Sequence, residues 1–87
     1  MKEVIINAEE IFSISDIHKQ LAEELGFPEY YGKNLDALYD CMTDITEEVT
    51  VTVIGRSELN ETLGIGFKKL MGVLNDAAEE NGSITVN

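Results

Sequence analysis

Three aspartates, Asp36, Asp40 and Asp44, follow one another at intervals of four residues with no lysine or arginine between them. On an α-helix this spacing places the carboxylates on one face, where each like-charged pair destabilises the helix by roughly 0.2–0.5 kcal/mol. The helix dipole would favour Asp36 in the first turn but disfavour Asp44 near the C-terminal end. Carboxylates held together in this way are suited to binding a cationic partner, although a solvated acidic face would show the same pattern.

Two adjacent tyrosines, Tyr30 and Tyr31, precede the aspartates in a loop that Pro28 and Gly32 limit. Rigid aromatic side chains beside charged groups are typical of the residues that dominate protein–protein binding energy. We expect Tyr31 to close the end of the hydrophobic core. Tyr30 is then the aromatic side chain that faces outward.

These residue types do not fit a metal site or an enzyme active site. An EF-hand calcium loop takes its ligands from alternate residues around a central glycine, whereas the aspartates are four residues apart. Neighbouring carboxylates on a convex helix face have no pocket that could raise one pKa for acid–base catalysis. The pair Gly64 and Gly66 lacks the third glycine of a dinucleotide-binding loop. We therefore expect no catalytic residue, no metal site and no cofactor.

Two further reactive side chains, His18 and Cys41, are not placed for catalysis either. His18 has no nucleophile at a recognisable spacing, and helical periodicity predicts that it faces water. Cys41 has no basic neighbour in sequence and is expected at the margin of the core, where a thiol is structural. A single cysteine forms no intramolecular disulfide and suits a reducing compartment.

The composition favours a basic protein as the partner. Lys and Arg total 6 against 17 Asp and Glu, which gives a formal net charge of −11. Such a charge repels phosphate backbones and anionic membranes, so neither nucleic acid nor membrane is expected as a partner. Acidity that only maintains solubility is the alternative. No apolar run has the length of a signal peptide or a membrane span, so we expect a soluble, cytoplasmic protein.

Hydrophobic periodicity predicts the elements that would position these residues. Short β-branched runs predict three strands, at Val4-Ile5-Ile6, at residues 49–54 and at residues 83–86, with the first strand buried on both faces. Apolar residues at helical spacing predict three main helices, from Ser13 to Gly26, from the cap Asn34 to Ile45, and from about Leu63 to Ala78. Residues 56–60 are predicted to be irregular, with at most one helical turn.

Strands that alternate with helices predict an α/β fold, in which one small domain of 87 residues contains a three-stranded parallel sheet packed by three main helices. At roughly 100° per residue, the second helix separates into two arcs. The apolar arc, with Cys41 at its margin, is predicted to face the core and comprises Leu35, Leu38, Cys41, Met42 and Ile45. The opposite arc carries the three aspartates with Thr43, and Tyr39 lies at the boundary.

The segment Pro28-Glu29-Tyr30-Tyr31-Gly32-x-Asn34-Leu35-Asp36-Ala37-Leu38-x-Asp40-Cys41 closely resembles the signature of the barstar family, the intracellular inhibitors of barnase-type ribonucleases. Residues 13–18 and 84–86 are similar as well, so the resemblance spans essentially the whole chain. It implies the same small parallel sheet packed by helices. It also implies a 1:1 complex with a basic secreted ribonuclease, formed by a protein that is monomeric when free.

The resemblance further implies roles for individual residues. Asp40 would occupy the phosphate pocket of the enzyme, Asp36 would pair with nearby basic groups, and Asp76 falls where the family has an interfacial glutamate. The expected partner-binding residues, which include all three spaced aspartates, are Tyr30, Asn34, Leu35, Asp36, Tyr39, Asp40, Thr43, Asp44 and Asp76.

Four further residues depart from the family pattern, and these departures bear on which target the protein would bind. Tyr39 stands where the family has a tryptophan, Lys33 replaces a glutamate, and Asp44 and Ile45 replace a glycine and a tryptophan. The alternative is therefore a binding module of the same fold that recognises another basic protein without inhibiting a ribonuclease. An acyl carrier protein is disfavoured because the chain has no Asp-Ser-Leu triplet.

Overall fold

The three strands form one parallel sheet, in which their spatial order is the same as their order along the chain. In the computed structural model, which describes residues 1–87, the strands are β1 (Lys2–Asn7), β2 (Val49–Ile54) and β3 (Ile84–Val86). The central strand β2 pairs Val51 with Val4 of β1 and Val49 with Ile84 of β3. The predicted three-stranded parallel sheet is thus confirmed.

Four α-helices and one 3₁₀ turn connect the strands. The 3₁₀ turn Ala8–Glu10 follows β1, and the helices are α1 (Ile14–Leu25), α2 (Leu35–Thr43), α3 (Arg56–Leu63) and α4 (Ile65–Glu80). Side chains from all four helices join the valines and isoleucines of the sheet in one buried core. No helix is long and apolar enough to cross a membrane.

Only one face of the sheet is covered by helices. Val4 and Ile6 of β1 are almost completely buried, but Ile5 between them is 45% exposed, so the prediction that β1 is buried on both faces is wrong. The strand order explains the difference. When successive parallel strands are added in one direction by right-handed crossovers, all the connecting helices lie on the same side of the sheet. The other face, which includes Thr52 and Thr85, remains in contact with water.

Gly64 divides the predicted third helix. Its backbone has φ 61° and ψ −139°, a conformation that residues with a side chain rarely adopt. The chain therefore forms the separate helix α3 from Arg56 to Leu63, where sequence periodicity predicted an irregular segment, and α4 begins at Ile65 rather than near Leu63. Of the seven apolar positions predicted for this helix, five are buried and two are partly buried. The buried ones are Phe67, Leu70, Met71, Leu74 and Ala77, and the partly buried ones are Leu63 and Ala78.

Helix α1 is closed at both ends by residues close to it in sequence. The Asp16 N–H donates to Ser13 Oγ at 3.2 Å, and Gly26 ends the helix with φ 69°, as their residue types predict. The Asp16 carboxylate accepts the Phe12 N–H at 2.8 Å, one residue before the cap. These terminal groups of α1 are therefore satisfied locally, whereas the Glu24 carbonyl in its last turn accepts a hydrogen bond from Lys2 Nζ of β1 at 3.0 Å.

Candidate functional site

Helix α2 presents a buried side and a charged side. Its N-terminus is capped by Asn34, whose Oδ1 accepts the Ala37 N–H at 2.8 Å, which confirms the predicted cap. Leu38 and Met42 are completely buried, as the predicted apolar arc requires, while Leu35, Cys41 and Ile45 are partly buried. The helix ends at Thr43, two residues before the predicted end.

The acidic face consists of exposed carboxylates on two packed helices and directly after one of them, namely Asp36 and Asp40 of α2, Asp44 at the C-cap of α2, and Asp76 and Glu80 of α4. Tyr39 lies between the two helices. Its pKa is raised first by partial burial, and then by the carboxylates of Glu80, Asp76 and Asp40. Side chains from α2 and α4 that are distant in sequence are therefore brought together around one phenol.

Glu80 was missed by the sequence analysis. It follows Asp76 at an interval of four residues, so both carboxylates share one face of α4. The four-residue spacing could have identified Glu80 as a neighbour of Asp76. Whether these two carboxylates face the same surface as Asp40 depends on the register of α4 against α2, which is not apparent from the sequence.

The acidic face has no internal counter-ion. One salt bridge is present in the structure, between Lys2 Nζ and Glu47 Oε1 at 3.6 Å, and it involves none of these carboxylates. No group of three or more His, Cys, Asp or Glu side chains is close enough to hold a metal ion. The carboxylates are therefore hydrated and available to cations supplied from outside the chain.

The loop before α2 separates the two tyrosines. Tyr30 is 87% exposed. Tyr31 packs edge-on against Phe27 with 5.0 Å between ring centroids, and its Oη lies 2.5 Å from His18 Nδ1. The expectation that Tyr31 closes the end of the core is confirmed, and Tyr30 faces outward beside the start of α2.

His18 is buried, and the prediction that it faces water is wrong. Only 2% of the residue is exposed, because the loop folds back and Tyr31 covers the imidazole. Burial, and then the charge of Lys33, lower the pKa of His18, so the ring is neutral near pH 7 and Nδ1 can accept the phenol proton. Burial, followed by the nearby Cys41, raises the pKa of Tyr31 to about 12, so the phenol keeps that proton.

Two residues fix the path of the loop into α2. Lys33 adopts φ 49°, and it is the one non-glycine residue with a positive φ, a conformation that costs roughly 1–2 kcal/mol for L-residues. A Cβ on Gly32 would lie 2.9 Å from Asn34 Nδ2, which is too close for an undisturbed cap. The loop geometry that places Asn34 at the head of α2 therefore depends on the close approach of the Asn34 side-chain amide to Gly32 and on the positive φ of Lys33.

At the surface, the Thr43 hydroxyl can accept a hydrogen bond from a partner but cannot donate one. Its hydroxyl donates to the Tyr39 carbonyl at 2.9 Å and to the Asp40 carbonyl at 3.1 Å. Because a hydroxyl has a single proton, only its lone pairs remain free. Thr43 can therefore accept a hydrogen bond from a cationic side chain beside Asp40.

Cys41 lies at the edge of the core, as predicted. It lines an open cleft of about 510 Å³ between the end of α1 and the segment after α2. Burial, and then the carboxylates of Asp44 and Asp40, raise the pKa of the thiol, so the reactive thiolate is disfavoured. Of the expected partner-binding residues, Asp44 alone lines this cleft, and the others lie on the outer surface.

The fold and the acidic face together define a small acidic α/β protein whose candidate site is a helix surface rather than a pocket. The family model for Barstar (barnase inhibitor) matches residues 1–86. The chain is also 36% identical over 81 residues to the protein named "Putative ribonuclease inhibitor YrdF" from Bacillus subtilis (strain 168), a match that covers 92% of this chain and 89% of that protein. The chain belongs to the Barstar family.

Proposed function

We propose that the protein inhibits a basic ribonuclease of the barnase type by covering its active site with the acidic face in a 1:1 complex. Membership of the Barstar family and the similarity to a protein named as a ribonuclease inhibitor support this proposal. The observation that carries it is the set of carboxylates on α2 and α4 without an internal counter-ion. An enzyme that binds RNA phosphates supplies the cations that this surface lacks.

Asp40 is the centre of the proposed contact. It lies one helical turn from both Asp36 and Asp44, at a rise of roughly 6 Å along the axis in each direction. Its carboxylate would take the position of an RNA phosphate, while the flanking aspartates pair with neighbouring lysines or arginines. The free lone pairs of Thr43 would accept one further donor, because its own proton is already bonded to the backbone.

Aromatic and amide side chains would border this charged centre. Tyr30 is exposed in the loop before α2, and the partly exposed Tyr39 lies on the other side, among the acids. The Oδ1 of Asn34 is occupied by the helix cap, so its Nδ2 is the part free to donate to a partner. Tyrosines contribute large contact areas in interfaces and are enriched among the residues that dominate affinity.

The distribution of charge would also accelerate association. Complementary charge steers two proteins together, and this effect weakens as salt screens the charges over a Debye length of about 8 Å at physiological ionic strength. We therefore expect the association rate to fall with added salt, and the dissociation rate to change less.

The test is a titration of barnase with the protein while RNA cleavage is measured at low and physiological salt. We expect stoichiometric inhibition by the wild type. Asp40→Asn should lower the affinity by about 2 kcal/mol or more, as truncation of a dominant interface residue does. The matched control is Glu61→Gln on α3, an exposed position outside the acidic face that changes the net charge equally.

Two results would contradict the proposal. Equal inhibition by Asp40→Asn and Glu61→Gln would place the contact elsewhere on the surface. Absence of inhibition of any barnase-type ribonuclease by micromolar wild-type protein would favour a binding module for another basic protein.

A further inference from the structure

The side chain of Asn81 joins the end of α4 to the end of α2. Its Nδ2 donates to the carbonyl oxygens of Met42 at 3.1 Å, Thr43 at 3.3 Å and Ile45 at 2.8 Å. An amide nitrogen has two protons, so at least one is shared between two of these carbonyls. One side chain, 36 or more residues away in sequence, therefore satisfies the carbonyls at the C-terminus of α2.

Helix α2 lacks the usual means of closing its own C-terminus. Asp44 follows the helix in a right-handed conformation, with φ −83° and ψ −10°, rather than the left-handed glycine that ends many helices. The carbonyls at this end carry partial negative charge, and the carboxylates of Asp40 in the last turn and of Asp44 directly after it add to that charge. The amide protons of Asn81 place partial positive charge against these carbonyls, in addition to the Ile45 N–H, which donates to the Met42 carbonyl at 3.3 Å.

Asn81 is itself fixed to the scaffold through its other polar groups. Its N–H donates to the Ala77 carbonyl of α4 at 2.8 Å, and its carbonyl accepts the Ile84 N–H of β3 at 3.0 Å. Its Oδ1 accepts the Ser83 N–H at 3.0 Å. The side chain therefore transmits the position of α4 and β3 to the end of α2.

We propose that Asn81 is a positioning residue for partner binding, which sets the orientation of Asp40, Thr43 and Asp44 by holding the C-terminal turn of α2 against α4. This inference rests on the proposed function, because it assigns Asn81 a part in the same contact. Asn81 need not touch the partner, and it acts through the helix end that it holds.

The test compares Asn81→Asp with Asn60→Asp, an exposed position on α3 that undergoes the same change in charge. Asn81→Asp retains the acceptor for Ser83 but directs a carboxylate at three carbonyls. Asn81→Ala is the milder variant, because it retains both backbone hydrogen bonds. Binding to barnase is measured by association and dissociation rates, with the affinity corrected for the folded fraction, and amide hydrogen exchange of residues 41–45 is measured in the free proteins.

We expect Asn81→Asp to weaken binding roughly tenfold. A change of this size lies within the range of interaction free energies that are common between contacting residues. The loss should lie mainly in a faster dissociation rate, with Asn81→Ala intermediate and Asn60→Asp unchanged. Exchange of residues 41–45 should be faster in both Asn81 variants. A purely structural role would lower the folded fraction and leave the corrected affinity unchanged, and that result would overturn the inference.

The failure of the proposed function gives a different result. If wild-type protein neither inhibits nor binds barnase or any other barnase-type ribonuclease, the proposed function is contradicted, whereas the exchange measurement still decides whether Asn81 restrains α2. If exchange of residues 41–45 is equal in Asn81→Ala and Asn60→Asp, the inference is overturned whatever the wild type inhibits.

Discussion

Helices α1 and α2 have similar amphipathic patterns but use their polar residues in opposite ways. On α1, Gln20 donates to Glu24 at 2.8 Å, and Lys19 precedes Glu23 by four residues without forming an ion pair, so each of these glutamates has a basic or amide side chain one turn before it. On α2, Asp36, Asp40 and Asp44 have no such partners. The charge arrangement on α1 favours the helix itself, whereas that on α2 disfavours the helix and is available to another molecule.

The two helices also differ in how they are connected to the rest of the fold. The buried polar group of α1, His18, turns inward and bonds the loop that leads to α2. The last turn of α2 is held by Asn81, which directly follows α4. Helix α1 therefore supports the candidate surface, and α2 carries it. This division matches the general pattern in which a stable scaffold positions a locally unfavourable functional surface.

The largest expected effect comes from removing the hydrogen bond by which α1 supports the loop before α2. Tyr31→Phe removes the hydroxyl that bonds His18 Nδ1 and leaves a buried polar atom without a partner, which costs about 1–3 kcal/mol. Tyr30→Phe is the matched control, because Tyr30 is 87% exposed and should change stability by less than about 0.5 kcal/mol. Urea unfolding at pH 7.5 measures both, and equal stabilities would show that the hydrogen bond does not support the loop.

Sequence patterns predict those features of α2 that depend only on residues close together in the chain. Asn34 is predicted as a cap because Asn is a preferred N-cap residue and the run that follows it contains no proline or glycine, and the acidic arc of α2 follows from the helical period alone. The buried Leu38 and Met42 follow from the same period. These features require no knowledge of how the elements pack.

Long-range packing decides the features that were predicted wrongly or missed. His18 lies on a nominally polar arc, but a loop thirteen residues away covers it. Ile5 is exposed because all the helices lie on the other side of the sheet. Glu80 and Asn81 acquire their positions from the register of α4 against α2, and an Asn-Gly pair in sequence indicates only a turn.

An intermediate effect is expected from the titration of His18. Burial lowers its pKa in the folded state below the ordinary value of 6.5, so the unfolded chain binds the proton more readily. The contribution of His18 to the free energy of unfolding is therefore fully present above about pH 6.5. It is lost as the pH falls from 6.5 towards the folded-state pKa, by about 1.4 kcal/mol for each unit of difference between the unfolded-state and folded-state pKa values. Unfolding free energies at pH 7.5 and 5.5 measure this loss.

His18→Gln is the control for the pH effect, because an amide oxygen can accept from Tyr31 but does not titrate in this range. We expect the fall in stability between pH 7.5 and 5.5 to be smaller in this variant than in the wild type. Equal pH dependence in the two proteins would assign the effect to other groups. It would remove the distinction between the neutral, buried imidazole of α1 and the exposed carboxylates of α2.

The smallest expected effect is the change in the stability of the free protein when an exposed charge is removed from α2 or from α1. Asp40→Asn removes two like-charged pairs on α2, with Asp36 and Asp44, and should stabilise the free protein by about 0.4–1 kcal/mol. Glu23→Gln on α1 removes a favourable spacing with Lys19 instead, so it should be neutral or slightly destabilising. The gain for Asp40→Asn should shrink with added salt, because the carboxylates are exposed and screened.

The same Asp40→Asn protein is expected to bind barnase more weakly, so stability and affinity should change in opposite directions at this one position. Such a result would show that the repulsion on α2 is retained because a partner relieves it. Urea unfolding of both variants at low and high salt measures the stability change. A loss of stability in Asp40→Asn would mean that another interaction compensates the carboxylate in the free protein, and α1 and α2 would then not differ in the way their charges affect folding.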